Sequence, residues 1–156
     1  MVDLPQRRRL HHEVPAWVTR GALFFVTINA AERGSTVLTQ GKRPEALIAS
    51  AIHYHTAGTW WLQLLVVMPD HLHALLAVPE GLRLEKVISA WKSYQTKRLG
   101  IQWQSGFFDH RLRDDESLEA KARYIRMNPV RAGLVARPEK WPHTWSPMQD
   151  QGEPSG

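Results

Sequence analysis

Continuous apolar runs along the chain predict a sheet built around one hairpin. Residues 22–28 and 60–68 are almost entirely apolar and rich in β-forming side chains, and a third apolar run covers residues 72–78. Short runs of this kind are typical of strands that are buried on both faces. Pro69 and Asp70 indicate a tight turn between the second and third runs, so these two strands are expected to pair as a hairpin.

Two helical patterns flank this hairpin. Pro44 can occupy the first turn of a helix that continues to about Ala57, where Gly58 ends it. An amphipathic helix is predicted over residues 82–99, and Gly100 follows it as a stop signal. Its apolar face carries Leu84, Val87, Ile88, Trp91 and Gln95.

The C-terminal part supplies one more strand and one more helix. The strand is predicted at about residues 107–113. Asp114 or Asp115 can cap the helix after it, which is expected to run to about Asn128 and to stop before Pro129. The order β-α-β-β-α-β plus a C-terminal helix predicts an α+β fold, namely a ferredoxin-like sandwich whose antiparallel sheet has two helices on one face.

Length and composition are those of one globular domain. The chain has 156 residues, of which 43% are hydrophobic and 22% charged. We therefore place the domain at residues 16–148, between a basic arm at 1–15 and a polar tail at 149–156. Cysteine is absent, which excludes a disulfide framework and a thiolate metal site or nucleophile.

Charge points to the class of partner. Lys and Arg number 20 and Asp and Glu 15, so the formal net charge is +5. An excess of this sign favours an anionic partner, most commonly nucleic acid, although a basic protein with no such partner remains an alternative. The sequence carries no apolar run of membrane-spanning length and no apolar signal core, so we expect a cytoplasmic protein.

Four side chains form the candidate site. His71 and His73 open the second strand of the hairpin, and because strand side chains alternate they lie on one face. Two neutral imidazoles are a good half-site for a divalent metal, but they could also be a polar strand end. Tyr124 and Asn128 are expected one turn apart on the last helix. An Asn oxygen suits Mg²⁺ or Mn²⁺ and a Tyr hydroxyl can act as a nucleophile, although both residues could instead be structural.

Four sequence blocks, taken in order, resemble one family. Residues 67–76, Val-Met-Pro-Asp-His-Leu-His-Ala-Leu-Leu, are similar to the His-hydrophobic-His motif of the HUH single-strand nucleases, and more closely to the single-tyrosine transposases of insertion sequences. Three further blocks resemble the REP-associated tyrosine transposases: Trp-Lys-Ser-Tyr at 91–94, Trp-Gln-Ser-Gly-Phe-Phe-Asp-His at 103–110, and Tyr-Ile-Arg-Met-Asn-Pro-Val-Arg-Ala-Gly-Leu-Val at 124–135. The resemblance covers about residues 22–145.

The resemblance implies a role for each site residue. His71 and His73 match metal ligands for Mg²⁺ or Mn²⁺, and Tyr124 matches the nucleophile that attacks a single-stranded DNA phosphate, forming a 5′-phosphotyrosine and freeing a 3′-OH. Asn128 stands where insertion-sequence relatives have Gln as a third ligand. Asp70 stands where this branch usually has Asn, and its carboxylate would either strengthen the attraction for metal or only cap the turn.

The resemblance also implies a DNA partner. REP-associated transposases act on imperfect palindromes that fold into hairpins with a nearby single-stranded tetranucleotide, so hairpin or single-stranded DNA is the expected substrate, with possible strand joining after cleavage. This branch is thought to act as a monomer, whereas insertion-sequence relatives are dimers; we expect a monomer, with a homodimer as the alternative. The candidate phosphate contacts are Arg7, Arg8, Arg9, Lys92, Lys97, Arg98, Arg111, Arg113, Arg126 and Arg131.

A nucleic-acid-binding module that does not cleave is the rival hypothesis. RNA-binding domains with this sandwich stack bases on aromatic side chains of an open sheet face. The second hairpin strand instead offers His71, His73 and Ala77 there, which argues against a stacking platform. The presence of all four candidate site residues also favours the enzyme, although a domesticated binding protein could retain them.

Overall fold

The strands form one antiparallel sheet in the computed structural model, which describes residues 23–113 and 117–147. They are β1 Leu23–Asn29, β2 Trp61–Val67, β3 His71–Ala77, β4 Phe108–Arg111 and β5 Thr144–Trp145. Their spatial order is β4-β1-β3-β2-β5, and every neighbouring pair is antiparallel. The first four strands have the order of a ferredoxin-like sandwich, which confirms the predicted α+β fold. The short edge strand β5 was not predicted.

The helices are α1 Arg43–Thr56, α2 Leu84–Leu99, α3 Leu118–Arg126 and α4 Asn128–Arg131. Gly100 ends α2 in the left-handed conformation, with φ of 74°, as its position in the sequence predicts. Helix α2 begins two residues later than predicted because Leu82 still belongs to a turn, in which its amide donates to the carbonyl of Pro79. In the described part of the chain, no helix combines the length and apolarity needed to cross a membrane.

Helices α1 and α2 cover one face of the sheet, as predicted. Leu47 of α1 and Ile88 and Trp91 of α2 pack against this face and are almost completely buried. Gln95 is 1% exposed on the same apolar side of α2, and its amide donates to the Ser50 hydroxyl over 2.8 Å. The hydrogen bond satisfies a polar group that would otherwise be costly to bury.

Helix α3 covers part of the opposite face. Ile125 is fully buried there among Leu64 and Val66 of β2 and Leu75 of β3. Because residues 71, 73 and 75 of a strand share a face, this is also the face of His71 and His73. The helix that carries Tyr124 is therefore packed over the same side of the sheet as the two histidines.

A β-bulge in β2 accommodates one extra residue, Gln63, in an apolar run that packs against both cores. The register against β3 shifts between Leu62 and Leu64. Leu62 packs towards α1 and α2, whereas Leu64, two residues later, packs towards α3. In an unbroken strand these two side chains would point the same way.

Two details of the last helix were predicted wrongly. Its N-cap is Ser117, whose hydroxyl accepts the Ala120 amide over 3.0 Å, and not Asp114 or Asp115, which lie outside the described residues. The helix ends at Arg126, and Asn128 starts the separate helix α4, with Pro129 in its first turn. A proline disfavours the interior of a helix but fits its start, so it marks a new helix here. The basic arm at 1–15 and the tail at 149–156 also lie outside the described residues.

Candidate metal and nucleophile site

The two histidines are held side by side by partners from neighbouring elements. Their ring centroids are 4.8 Å apart. Nδ1 of His73 lies 2.9 Å from the Thr27 hydroxyl of β1, and Nδ1 of His71 lies 2.7 Å from the Asp70 carboxylate. Metal-binding histidines commonly use one ring nitrogen in this way, which fixes the orientation of the other. The two Nε2 atoms are thus the nitrogens through which both rings could bind one metal.

Burial, together with the surrounding charges, keeps His73 in the form that can bind a metal. Burial lowers the pKa of His73 from near 6.5 to about 3, and the charges of His71, Arg131 and Arg33 act in the same direction. The imidazole is therefore neutral at neutral pH and its lone pair is available. Within residues 23–113 and 117–147 no group of three or more His, Asp or Glu side chains could hold a metal, so any third protein ligand beside the two imidazoles would be a residue of another type.

Asp70 connects His71 to the loop that follows β1. One carboxylate oxygen contacts His71, and the other accepts the Gly34 amide over 2.7 Å and lies 3.4 Å from Nε of Arg33. Burial would raise the pKa of Asp70, but the hydrogen bonds from Gly34 and His71 and the charge of Arg33 lower it. Its carboxylate therefore stays ionised and orients the ring of His71, a role additional to the two considered from the sequence.

Tyr124 is exposed on α3 and has cations beside its ring. The residue retains 55% of its accessible surface. The guanidinium of Arg131 lies 4.0 Å from the ring centroid and the ammonium of Lys121 lies 5.9 Å from it. The same ammonium is 5.3 Å from the ring of Phe25, which in turn is 5.3 Å from the ring of His73. Phe25 and Lys121 thus connect the tyrosine to the histidine pair.

Asn128 is oriented by Arg131. One guanidinium nitrogen of Arg131 donates to Oδ1 of Asn128 over 2.8 Å and to the backbone carbonyl of Tyr124 over 2.7 Å. An arginine only donates, so this contact identifies the oxygen of the amide. Nδ2 of Asn128 is buried and has no hydrogen-bond partner among the described residues. Tyr124 and Asn128 both contact Arg131, and they belong to two successive helices and not, as predicted, to one.

The predicted phosphate contacts lie on different sides of the sheet. Lys97 and Arg98 belong to α2, while Arg126 and Arg131 belong to α3 and α4 on the other side. Arg98 donates to the Tyr94 hydroxyl over 2.6 Å. The remaining described candidates are Arg111 on β4, Arg113 just beyond it, and Lys92 on α2, whereas Arg7, Arg8 and Arg9 lie outside the described residues.

Two of these basic side chains are partly withdrawn from solvent. Lys92 donates to the carbonyls of Gln104 and Gly106, over 2.9 and 2.6 Å, and burial lowers its pKa. The side chain of Arg126 borders a cavity of about 240 Å³ with Trp141, and burial lowers its pKa as well. These contacts do not test whether Lys92 and Arg126 bind DNA, so DNA binding by these residues stays a prediction.

Sequence reasoning missed three residues beside the site. Thr27 holds His73, Arg33 contacts Asp70, and Phe108 is 66% exposed on the edge strand β4. Thr27 and Phe108 could have been found by aligning the predicted strands in the ferredoxin-like order, since they are directly paired with one another and Thr27 with His73. No sequence pattern indicates Arg33, which lies in a polar loop.

Comparisons with known proteins agree with the motifs. No protein-family model matches the chain. The chain is 27% identical over 135 residues to the REP-associated tyrosine transposase of Escherichia coli K12, covering 83% of this chain and 79% of the relative. It is 28% identical over 145 residues to a provisionally named REP-associated tyrosine transposase of Haemophilus influenzae, covering 81% and 80%.

Solved structures give the same result. A REP-associated tyrosine transposase bound to a REP hairpin matches with a TM-score of 0.69 and 27% identity, over 85% of this chain and 81% of that one. A provisionally named transposase of Deinococcus radiodurans R1 matches with a TM-score of 0.53 over 72% of this chain and 91% of that one, and at 18% identity it supports the fold alone. The resemblance predicted from the sequence blocks is confirmed, and the relatives support an enzyme of the tyrosine transposase kind.

Proposed function

We propose that this chain, which resembles the REP-associated tyrosine transposases in sequence and in fold, cleaves single-stranded DNA beside a hairpin by covalent attachment to Tyr124. One observation carries the proposal: an exposed tyrosine lies on a helix that is packed over the same sheet face as two histidines held by Thr27 and Asp70. Such a face can receive a phosphate between a metal site and a nucleophile.

The side chains present fit a site for Mg²⁺ or Mn²⁺. His71 and His73 would hold the ion through Nε2, and Asn128 through Oδ1, which keeps a second lone pair beside its bond to Arg131. A divalent cation bound there would neutralise charge on the scissile phosphate and help to orient it. Three protein ligands leave positions free for phosphate oxygens.

The atoms that exchange bonds in the chemical step belong to the tyrosine and the DNA. The Tyr124 oxygen forms a bond to phosphorus as the bond from phosphorus to the 3′ oxygen breaks. The phenol proton is lost and the departing oxygen gains one, so the products are a 5′-phosphotyrosine and a free 3′-OH. The phosphodiester energy is conserved in the new bond, which would allow strand joining without a nucleotide cofactor.

Neighbouring cations support the attack. Arg131 and Lys121 lie beside the Tyr124 ring and would attract the phosphate towards it. Ile125 is buried in the core between α3 and the sheet, and this packing limits the motion of the adjacent Tyr124. Because α3 packs on the sheet of its own chain, the arrangement supports a site completed within a monomer.

A cleavage assay tests the proposal. Hairpin oligonucleotides with single-stranded flanks are incubated with protein and Mn²⁺ or Mg²⁺, and covalent protein–DNA adducts are detected on denaturing gels. We expect an adduct from wild type that is abolished by a chelator and by Tyr124→Phe. Tyr94→Phe is the matched control, since Tyr94 is also exposed but lies on α2 across the sheet.

Two outcomes would contradict the proposal. An adduct that persists in Tyr124→Phe would place the nucleophile elsewhere. Tight binding with no adduct across a varied set of flanked hairpins would favour the rival, a binding protein that does not cleave. One feature of the structure favours that rival. The exposed aromatic Phe108 lies on the edge strand, on the same sheet face as the histidines, and the argument from the sequence did not consider it.

A further inference from the structure

Phe108 is exposed at a position where an apolar side chain is unusual. It retains 66% of its accessible surface on β4, which is the edge strand of the sheet. Edge strands commonly carry charged residues, which discourage association with other chains. Its neighbour Phe107 packs against the core under α1 and α2, so the two adjacent phenylalanines have opposite surroundings.

The strand register places Phe108 on the face of the histidines. Phe108 is directly opposite Thr27 of β1, and Thr27 is directly opposite His73 of β3. Directly opposed residues of an antiparallel sheet point to the same face, and the hydrogen bond between Thr27 and His73 is consistent with this. Two strand spacings separate Phe108 from His73, or roughly 10 Å. This is on the scale of one or two nucleotides of an extended strand.

The same face of β4 is covered at one end and open at the other. Leu112, four residues after Phe108, is 4% exposed and lies in the core beneath α3 together with Ile125. Phe108 lies at the opposite end of β4, where the face is open and where β3 begins with His71. The exposed ring therefore borders the candidate site, and α3 does not cover it.

The segment before Phe108 is firmly anchored. The Lys92 ammonium donates to the carbonyls of Gln104 and Gly106, and the Gln104 amide donates to the carbonyl of Asn29 over 2.9 Å. Asn29 is in turn directly opposite His71. An exposed ring on a fixed backbone loses little conformational freedom when a ligand binds.

We infer that Phe108 is a stacking site for an unpaired DNA base next to the phosphate at the candidate site. Every base offers a π-face to an aromatic ring, and such stacking is a common means of holding single strands. The cations Arg33, Lys121 and Arg131 near the histidines and Tyr124 would attract the backbone of the same strand. The inference rests on the proposed function for the position of the phosphate, and it adds a residue that contacts a base.

Binding measurements without metal test this inference apart from cleavage. Hairpins with a 5′ flank, a 3′ flank or no flank are titrated in chelator, and 2-aminopurine is placed at each flank position in turn. Phe108→Thr, which keeps the β-branched character that strands favour, should weaken binding of one flanked hairpin about tenfold and leave the blunt hairpin unchanged. The aminopurine next to the cleavage position should be quenched by wild type and by Phe108→Trp, but not by Phe108→Thr.

Leu82→Ala is the matched control, because Leu82 is 46% exposed but lies outside the sheet. The inference is overturned if Phe108→Thr binds every flanked hairpin as tightly as wild type, or if it loses blunt and flanked hairpins equally. It is also overturned if sedimentation shows that Phe108→Thr only abolishes self-association, which would make the ring a contact between copies of the chain.

The two proposals fail in different ways. If wild type forms an adduct and Phe108→Thr neither binds nor cleaves differently, only the stacking role is lost. If no adduct forms but flank binding depends on Phe108, the stacking role holds and the proposed cleavage is wrong.

Discussion

The guanidinium of Arg131 lies 4.0 Å from the ring centre of Tyr124, and the same side chain donates to the oxygen of Asn128 over 2.8 Å. One residue therefore contacts both the proposed nucleophile and the proposed third ligand. Arg131 also contributes to lowering the pKa of His73. The break between α3 and α4 makes this possible, because it is Arg131 of α4 that reaches back to the carbonyl of Tyr124.

Replacement of Arg131 should affect rate more than DNA affinity. We expect Arg131→Ala to slow adduct formation roughly 10- to 100-fold, a typical loss when a group that orients a metal ligand is removed. Arg131→Lys should keep the salt dependence of DNA binding but not the rate, because an ammonium cannot bond Asn128 and also stack on the Tyr124 ring as a planar guanidinium does. Single-turnover adduct formation and Mn²⁺ titration would be measured. Arg137→Ala, at an exposed arginine paired with Glu139, is the control.

Removal of the Thr27 hydroxyl should weaken metal binding. Thr27→Val keeps the shape of the side chain but leaves Nδ1 of His73 without its partner at 2.9 Å. We expect Mn²⁺ affinity, measured by calorimetry or electron paramagnetic resonance, to fall about 10-fold or more. Thr39→Val removes a hydroxyl that donates to the Thr36 carbonyl in its own turn and should leave affinity unchanged. Unaltered Mn²⁺ binding by Thr27→Val would mean that the hydroxyl does not orient a metal ligand.

Asp70→Asn should loosen the loop after β1. The amide can still accept from His71 or from the Gly34 amide through its single oxygen, but not from both, and it loses the charge that faces Arg33. We expect the free energy of unfolding to fall by about 1–2 kcal/mol, as for the loss of a hydrogen bond to a charged group. Urea denaturation would measure the free energy of unfolding. Faster hydrogen exchange of the Gly34 amide would show that the loss is in the loop after β1. Asp109→Asn on the exposed face of β4 should change neither quantity.

Truncation of Ile125 should separate stability from activity. Ile125→Ala and Ile88→Ala both empty fully buried sites, so each should destabilise the fold by roughly 2–5 kcal/mol. Only Ile125 anchors the helix that carries Tyr124, and Ile88 lies in the other core. At a temperature where both variants remain folded, we expect slower adduct formation for Ile125→Ala alone. Equal slowing in both would point to a general effect of stability.

The sheet could be predicted from the sequence because its strands are strongly apolar and its turns are marked. Residues 60–68 and 72–78 contain long apolar runs with Pro69 and Asp70 between them, and few interpretations other than a hairpin fit this pattern. The strand β5 was missed because its two residues, Thr144 and Trp145, make a ladder with β2 that is too short for any periodicity. Its position depends on contacts distant in the sequence.

The candidate site was only partly predictable. The alternation of strand side chains places His71 and His73 on one face, and the structure has them there. The prediction that Tyr124 and Asn128 lie one turn apart assumed one continuous helix that ends at Pro129. In the structure Pro129 instead lies in the first turn of α4. Local rules allow a proline either to follow one helix or to open the next. Here Pro129 opens the next helix, and Arg131 of that helix donates to the carbonyl of Tyr124.

On either side of the bulge in β2, the number of residues in the strand is as important as their identity. Exchange of one aliphatic side chain for another at Leu64 or Val66 changes the packing of one core. Deletion of Gln63 would only remove the bulge, because Leu64 would then follow Leu62 directly and would still point to the opposite face. Deletion of Leu65 would instead turn the following residues over, sending Val66 towards α1 and α2 and Val67 towards α3. Insertions and deletions should therefore be tolerated in the loops of this protein, and a deletion should be tolerated at the bulge, but not elsewhere within β2, even where substitutions there are mild.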